Sequence, residues 1–336
     1  MSTGFKPRVL LTSFYDRDVI ADALERLRGF ADVQELDRGR SVTRQELLEV
    51  LPRAHACIAA DEKYPADVLD EAPDLALIAR EGTGYDGIDV EAATQRGILV
   101  TNAPVVHAST ANLTIGLMIA LIRRILDCDR SVREGDWTQR SPLLCPDLTG
   151  MTLGILGFGL VGREVARRAA AMGMKVLAHN RSDVSAAAAA VGAEAVSLEK
   201  ALRRSDVVCV HIRHTEQTVR MFDAERFAQM KRGAYFVNMS RGGIVDEGAL
   251  LNALSSGHLA GAALDVFAEE PTPTQNPLLK LDNVICSPHI GGETTTTMRQ
   301  TVEVAVDAVA ECFAGRRPSN IVNPQAWEKA RVHGLI

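Results

Sequence analysis

The sequence lacks a basic excess, a paired-cysteine motif, a long apolar run and a flexible linker. Each absence removes a class of function. Its 37 Lys+Arg are outnumbered by 43 Asp+Glu, a net charge of −6, so no bulk charge is present to neutralise a phosphate backbone and no nucleic-acid partner is expected. Six cysteines, at 57, 128, 145, 209, 286 and 312, include no CxxC and no Cys/His pair at zinc spacing. They read as reduced, mostly buried thiols of a cytoplasmic protein, and no metal is expected. The longest apolar stretch, Leu113–Ile122, contains Thr114 and runs into Arg123-Arg124. A membrane span needs ~20 residues, so no membrane partner is expected. The N-terminal MSTGFKPRVLLTSFYDRD has no unbroken apolar core of a signal peptide. No segment is rich in Gly, Pro and Ser together, and no internal repeat is visible.

What is present is the material of a folded α/β protein. The 336 residues are 46% hydrophobic and 24% charged, enough for a sizeable core, and the length suits about two domains. Short β-branched runs alternate with segments of helical period. Arg8–Ser13, Ala56–Ala60, Leu75–Ala79 and Ile98–Thr101 read as buried strands, with Val19–Leu27 as the first helix. A long helix is expected over about Ser109–Val132. A second series follows from Thr152 to near Cys286, with strands TLGILG, KVLAHN, VVCVHI, AYFVNM, GAALDV and NVICS. The alanine-rich stretch Ser185–Ala195 reads as a solvated helix, Thr294–Phe313 as another, and the remainder as a polar tail. Continuous apolar strands separated by helices mean parallel sheets covered on both faces. The fold class is therefore α/β, with two doubly wound parallel-sheet domains.

Within the second series, strand Thr152–Leu156 runs directly into Gly157-Phe158-Gly159-Leu160-Val161-Gly162, and Arg163–Met172 continues with helical period. GxGxxG alone is weak; at a strand-to-helix junction it is the dinucleotide fingerprint. Gly157 permits the tight turn, Gly159 lets backbone approach a pyrophosphate, and Gly162 lets helix pack on strand. The helix start, at Leu160 and Val161, offers free N–H groups to phosphate.

Further along lie SDVVCVH (205–211), VNMSRGGIVDEGAL (237–250), GAALDVFAEEP (261–271) and SPHIGG (287–292). Alone, Arg241 suits a surface ion pair, His289 a loop histidine and Glu270 a turn residue. In this order after a dinucleotide loop, and together with REGTGYDGID (80–89), RGILVTNAP (96–104) and Gly135-Asp136-Trp137, the strings resemble the D-isomer-specific 2-hydroxyacid dehydrogenases. That group includes phosphoglycerate dehydrogenase, glyoxylate/hydroxypyruvate reductase and D-lactate dehydrogenase. The resemblance extends from about residue 50 to 320.

The resemblance implies an oxidoreductase moving a hydride between a nicotinamide cofactor and a small D-2-hydroxy acid or 2-keto acid. Arg241 matches the substrate-clamping arginine, whose planar fork suits a carboxylate. His289 matches the acid/base that serves the carbonyl oxygen, and Glu270, rather than Glu269, the carboxylate that pairs with it and favours its protonated form. Gly82, Thr83 and Gly84 match the loop whose backbone amides hold the substrate carboxylate. Cofactor contacts are expected at the glycine loop, at His211-Ile212, at Met239-Ser240, at Asp265 beside the nicotinamide carboxamide, and at Gly291-Gly292. By the same resemblance a Rossmann-type nucleotide domain, 105–290, is inserted into a flavodoxin-like substrate domain, 1–104 with 291–336. The site is expected in the cleft between them, and the segment around Ser109–Val132 is expected to help form a homodimer.

Several positions depart from the family pattern. His211-Ile212-Arg213-His214 stands where His-x-Pro is usual, Ala111-Asn112 where Ala-Glu is common, His107 where phosphoglycerate dehydrogenases carry Asn, and Glu293 followed by four threonines after SPHIGG. An NAD(H)-sensing corepressor-like binding protein is the alternative of another class, since such proteins keep the Arg/Glu/His set; no peptide-binding extension is evident here. Formate dehydrogenases carry Gln at the Glu270 position and phosphite dehydrogenases Lys at that of Thr83. Within the enzyme class the alternative is a D-3-phosphoglycerate dehydrogenase. Ala59-Ala60-Asp61-Glu62-Lys63 stands where a phosphate-binding Arg-Ser motif would be, and this favours a non-phosphorylated acid, with Arg80 as partial compensation. With the chain ending at 336, no appended regulatory domain is expected. Finally, 18 residues beyond Gly162, where NAD-dependent relatives place an acid, the sequence reads Asn180-Arg181-Ser182. No acid repels a 2′-phosphate there and Arg181 can pair with it, so NADP is preferred and NAD remains usable.

Overall fold

The computed structural model describes residues 5–13, 15–36, 40–137 and 143–336. Residues 1–4 and 14 of the N-terminal segment discussed above lie outside them. The first series runs β1 (Arg8–Leu11), α1 (Ala21–Phe30), β2 (Asp32–Glu35), α2 (Arg44–Val50), β3 (Ala56–Ala59), α3 (Ala66–Asp70), β4 (Leu77–Arg80), α4 (Val90–Gln95) and β5 (Leu99–Asn102). Helices α5 (His107–Ile122) and α6 (Ile125–Arg133) lead into β6 (Thr152–Leu156), α7 (Leu160–Ala171), β7 (Lys175–His179), α8 (Ser185–Ala189) and β8 (Ala193–Ala195). Then come α9 (Leu198–Arg204), β9 (Val207–Val210), α10 (Ala224–Gln229), β10 (Ala234–Asn238), α11 (Glu247–Ser255), β11 (Leu259–Leu264), β12 (Val284–Cys286) and α12 (Thr295–Phe313). The chain divides into two compact units, Met1–Val106 with Glu293–Ile336, and His107–Gly292.

The first unit is built on a five-stranded sheet in the order β2-β1-β3-β4-β5, parallel throughout. Alternate residues of each strand serve opposite faces. Val9, Leu11, Ile58 and Leu77 meet α1 and α12 on one face. Leu10, Cys57, Ile78 and Val100 meet Leu47, Val68 and Leu69 on the other. This is why ACIA is apolar at every position. Thr294 starts α12 through a capping box with Thr297, which accounts for the polar threonine run ahead of an apolar stripe. The expected polar tail is instead part of this core. Ala326, Ala330 and Val332 are buried in it, and Asn323 accepts from Val100 N at 2.8 Å while donating to Ile98 O at 2.9 Å. Its few apolar residues sit between polar ones that bond to backbone, so composition hides the packing.

The second unit carries a seven-stranded parallel sheet, β12-β11-β10-β9-β6-β7-β8. Strand order reverses between β6 and β9, and the crevice beyond the strand ends at that point is where open α/β sheets bind ligands. Two expectations change here. The single helix over Ser109–Val132 is two helices, because apolar α5 packs against α7, β10 and β11 whereas the chain turns at Arg124, φ 50°, into α6, which buries no residue. The helix over Ser185–Ala195 stops early: Gly192, φ 72°, ends it, and Ala193–Ala195 becomes an edge strand paired with β7. Among the described residues no helix is long and apolar enough to cross a membrane.

Candidate active site

The glycine loop lies at the β6/β9 reversal. Gly157 has φ 95°, and a Cβ on it would stand 2.4 Å from His211 O. A Cβ on Gly162 would stand 2.3 Å from Gly157 O. Both positions therefore admit glycine alone. Gly159, by contrast, faces open space, with no atom within 4 Å of a Cβ position, and it precedes α7 without a side-chain cap. The first N–H groups of α7, at Leu160, Val161 and Gly162, have no intrahelical acceptor. The carbonyl of Leu156 accepts from His211 N at 2.7 Å, which sets the His211-Ile212 turn beside the loop. Burial pushes the His211 imidazole down to about 4, so it is neutral, and its Nε2 is buried without a hydrogen-bond partner. An open cradle above Gly159, a helix start and an orphaned ring nitrogen together fit a dinucleotide.

The turn after β7 defines the neighbouring surface. Asn180 Oδ1 accepts from Phe158 N at 3.3 Å, and its Nδ2 donates to Ser182 Oγ at 2.8 Å. Arg181 donates to the neutral Gln217 side chain at 3.1 Å and makes no ion pair among the described residues. Asp183 instead accepts from the Ser185 backbone and hydroxyl. The Arg181 charge is left uncompensated.

His289, Glu270, Asp265 and Arg241 lie close together at the ends of β10, β11 and β12. His289 Nδ1 is 2.7 Å from Glu270 Oε2, and Glu270 Oε1 accepts from Phe267 N at 2.9 Å. The hydrogen bond to Glu270 raises the His289 imidazole above its ordinary value, against burial and the Arg241 charge. Burial pushes Glu270 up, but the hydrogen bonds from His289 and Phe267 and the nearby positive charges hold it lower on balance. Arg241 lies within charge reach of both, and its Nη1 donates to Ser240 O at 2.7 Å. Glu269 is exposed.

Three positions inside the quoted strings support this set, of which the sequence singled out only Asp265, and that for a cofactor contact. Asp265, 2% exposed, accepts from Ser287 Oγ at 2.6 Å, Ile290 N at 3.0 Å and Gly291 N at 2.8 Å. Its own carbonyl accepts from His289 N at 2.8 Å. This residue thus holds the loop that carries His289 at φ 56°. Asn238 shapes the Met239-Ser240-Arg241 turn, accepting from Ser240 N at 3.1 Å and donating to Arg241 O at 3.0 Å, while Met239 N donates to Val210 O at 3.3 Å. Gly242 lies against the backbone of Phe267, where a Cβ would come within 1.8 Å of the carbonyl carbon. Gly292 follows Gly291 at the end of this unit, half-buried.

In the first unit, Gly82, Thr83 and Gly84 follow β4. Gly82 N donates to Arg80 O at 2.9 Å, so of the three amides those of Thr83 and Gly84 are without a partner among the described residues. Asn102 Nδ2 fixes the loop by donating to Thr83 O at 2.8 Å. The residues expected to repel phosphate act otherwise than their sequence suggests. Glu62 is buried, and Asp61 is ion-paired with Arg80 at 3.1 Å. Among the described residues no group of His, Cys, Asp and Glu is arranged to hold a metal ion.

Residues 115–291 match the family described as D-isomer specific 2-hydroxyacid dehydrogenase, NAD binding domain. The chain is 40% identical over 291 residues to a D-3-phosphoglycerate dehydrogenase of Archaeoglobus fulgidus, a match covering 86% of this chain and 55% of that protein. It therefore spans about half the length of that relative. It is 38% identical over 328 residues to a glyoxylate reductase of Korarchaeum cryptofilum, covering 95% of this chain and 97% of the other. Among solved structures, a glyoxylate reductase from Paecilomyes thermophila superposes with a TM-score of 0.86 at 30% identity, covering 95% and 99% of the two chains.

Proposed function

The chain belongs to the D-isomer specific 2-hydroxyacid dehydrogenase family, and from that premise we propose that it transfers a hydride between a nicotinamide dinucleotide and a small D-2-hydroxy acid or its 2-keto acid. The observation that carries this reading is the 2.7 Å His289–Glu270 pair, set beside Arg241 in the unit that holds the glycine loop. When bound, the reduced nicotinamide supplies the hydride. Arg241 clamps the carboxylate and carbonyl of the keto acid. Because Glu270 takes the Nδ1 side of His289, Nε2 is the nitrogen that delivers a proton to the carbonyl oxygen, or removes it from the hydroxyl in the reverse direction. Thr83 and Gly84 supply amides to the substrate carboxylate. Leu160, Val161 and Gly162 supply amides to the pyrophosphate, with His211, Ile212, Met239, Ser240, Gly291 and Gly292 lining the remainder of the cofactor.

NADPH is the preferred cofactor. Support comes from Asn180, which is committed to Phe158 and Ser182, and from Arg181, which bonds to the neutral Gln217 and makes no ion pair among the described residues. The substrate is a non-phosphorylated acid such as glyoxylate or hydroxypyruvate. Support comes from the Arg80 guanidinium, whose Nη groups already donate to Asp61 and to the Ala59 and Glu81 carbonyls rather than standing free for a phosphate. The protein works as a cytoplasmic homodimer. α6 and the residues after it expose Leu126, Val132 and Trp137, and all six thiols are free. A panel of 2-keto acids assayed with NADPH and with NADH tests the reading. Turnover of glyoxylate or hydroxypyruvate with NADPH is expected; a strong preference for 3-phosphohydroxypyruvate would overturn the substrate assignment, and no turnover of any 2-keto acid the function.

A further inference from the structure

The ends of β1, β3 and β4 carry buried polar side chains that the reaction above does not use. Glu62 Oε1 accepts from Thr12 Oγ1 and Tyr64 OH, each at 2.7 Å, while its Oε2 is buried without a partner. Glu81, 3% exposed, likewise has a buried Oε2 without a partner at hydrogen-bond geometry; the buried Ser13 hydroxyl lies beside it and opposes the rise of its pKa. Two unsatisfied carboxyl oxygens in one buried group are costly as anions and tolerable as neutral acids. Burial pushes Glu81 up to about 8, with the Arg80 charge opposing and that of Glu62 reinforcing the shift.

Glu81 stands between Arg80 and the substrate loop. Arg80 Nη1 donates to Glu81 O at 2.7 Å and Ala59 O at 3.4 Å, and its Nη2 to Asp61 at 3.1 Å. This fork holds the guanidinium against the α-carbon of Gly82, where a Cβ would stand 3.0 Å from Nη1. The guanidinium, paired with Asp61, thus lies against the loop whose Thr83 and Gly84 amides have no partner among the described residues. The other charged or titratable groups around Glu81 are Cys57 in β3, Glu62 and Asp61 after β3, and Tyr15 after β1. The Tyr15 phenol is itself pushed up by burial, then by Glu81 and Glu293.

We propose that Glu81 sets the charge beneath the substrate loop: as a neutral acid it leaves the Arg80 charge balanced by Asp61 alone beside the Thr83 and Gly84 amides, and on ionising it adds a second carboxylate against Arg80, turns the group net negative and weakens binding of the keto acid's carboxylate. This rests on the functional reading above and deepens it, because it makes substrate affinity, rather than the chemical step, the quantity that alkaline pH removes through this residue. Glu81 is a positioning residue acting through Arg80. Glu81→Gln imitates its neutral form at all pH values.

The test is KM and kcat for glyoxylate at saturating NADPH, from about pH 6 to about pH 9.5, in wild type and Glu81→Gln. Titration of His289 is common to both and cancels in their ratio. The ratio of wild-type to variant KM is expected to rise roughly fivefold across about pH 8, with the ratio of kcat values independent of pH. Glu81→Ala, a second neutral variant, should reproduce the rise even if its own KM is uniformly altered. A pH-independent KM ratio, or a rise carried by kcat, overturns the proposal while leaving the enzyme assignment standing. A protein that turns over no 2-keto acid overturns both.

Discussion

At His289 the side chain and the backbone are held by different residues. Glu270 holds the ring through Nδ1, and Asp265 holds the loop on either side of it. The ring is therefore placed before substrate arrives, which an acid/base needs if its proton is to be within reach of the carbonyl oxygen. His289→Ala and Arg241→Ala are each expected to lower kcat/KM by roughly a thousandfold or more, since on the proposed function each removes a group that acts at the reacting carbonyl. Glu270→Gln should act differently. The hydrogen bond to Glu270 raises His289, so its loss lowers the imidazole pKa and reduction, which needs imidazolium, should fail at lower pH than in wild type. A pH–rate profile of keto-acid reduction checks this; an unmoved descending limb would argue against the pairing. Arg241, Glu270 and His289 were legible in the sequence because their strings have fixed order and chemistry. Asn238 and the loop-holding role of Asp265 were not, because a side chain bonding to the backbone of a distant loop leaves no periodicity and no spacing to read.

Elements fix what these residues can reach. The β6–α7 junction is tight because Gly157 and Gly162 both pack glycine-close on backbone, and the same junction sets Asn180 and Arg181, at the end of β7, beside Phe158. Exchanging the charge at this turn is expected to exchange the cofactor. Asn180→Asp with Arg181→Ala adds an acceptor for a ribose 2′-hydroxyl and removes the phosphate partner. Its NADPH-to-NADH ratio of kcat/KM should invert relative to wild type, and a wild type that uses NADH as well as NADPH would refute the preference. Gly242 is the corresponding point between the Arg241 turn and the Phe267–Glu270 turn. Gly242→Ala should cost about 3 kcal/mol or more, because its Cβ meets main chain rather than a movable side chain. Thermal unfolding measures it. The continuous apolar strands and the span of α12 could be read ahead of the structure. β8 and the turn at Arg124 could not, since each depends on a single left-handed residue, Gly192 or Arg124, inside a stretch whose composition is helical.

For the whole molecule, two parallel sheets account for most of the buried apolar residues, and α6 adds nothing to them. It buries none of its residues, yet Ile125, Leu126 and Val132 are about half exposed at 46%, 53% and 54%, with Trp137 beyond at 61%. Exposed apolar side chains grouped on a helix that buries none of its residues suit a surface that association covers, as the proposed homodimer requires. The sequence pointed to this segment only through the family resemblance, because a helix read as continuous from Ser109 to Val132 hides where the core-facing part ends. The physical reason is the change at Arg123-Arg124, where an apolar helix packed on its own sheet gives way to an amphipathic one without a core. Leu126→Asp combined with Val132→Asp is therefore expected to leave each chain folded, since neither side chain is buried within it, and to make the proposed homodimer monomeric. Size-exclusion chromatography with light scattering reads the mass, and circular dichroism confirms the fold. A double variant that remains dimeric, or a wild type that is monomeric at micromolar concentration, would move the interface elsewhere or remove it.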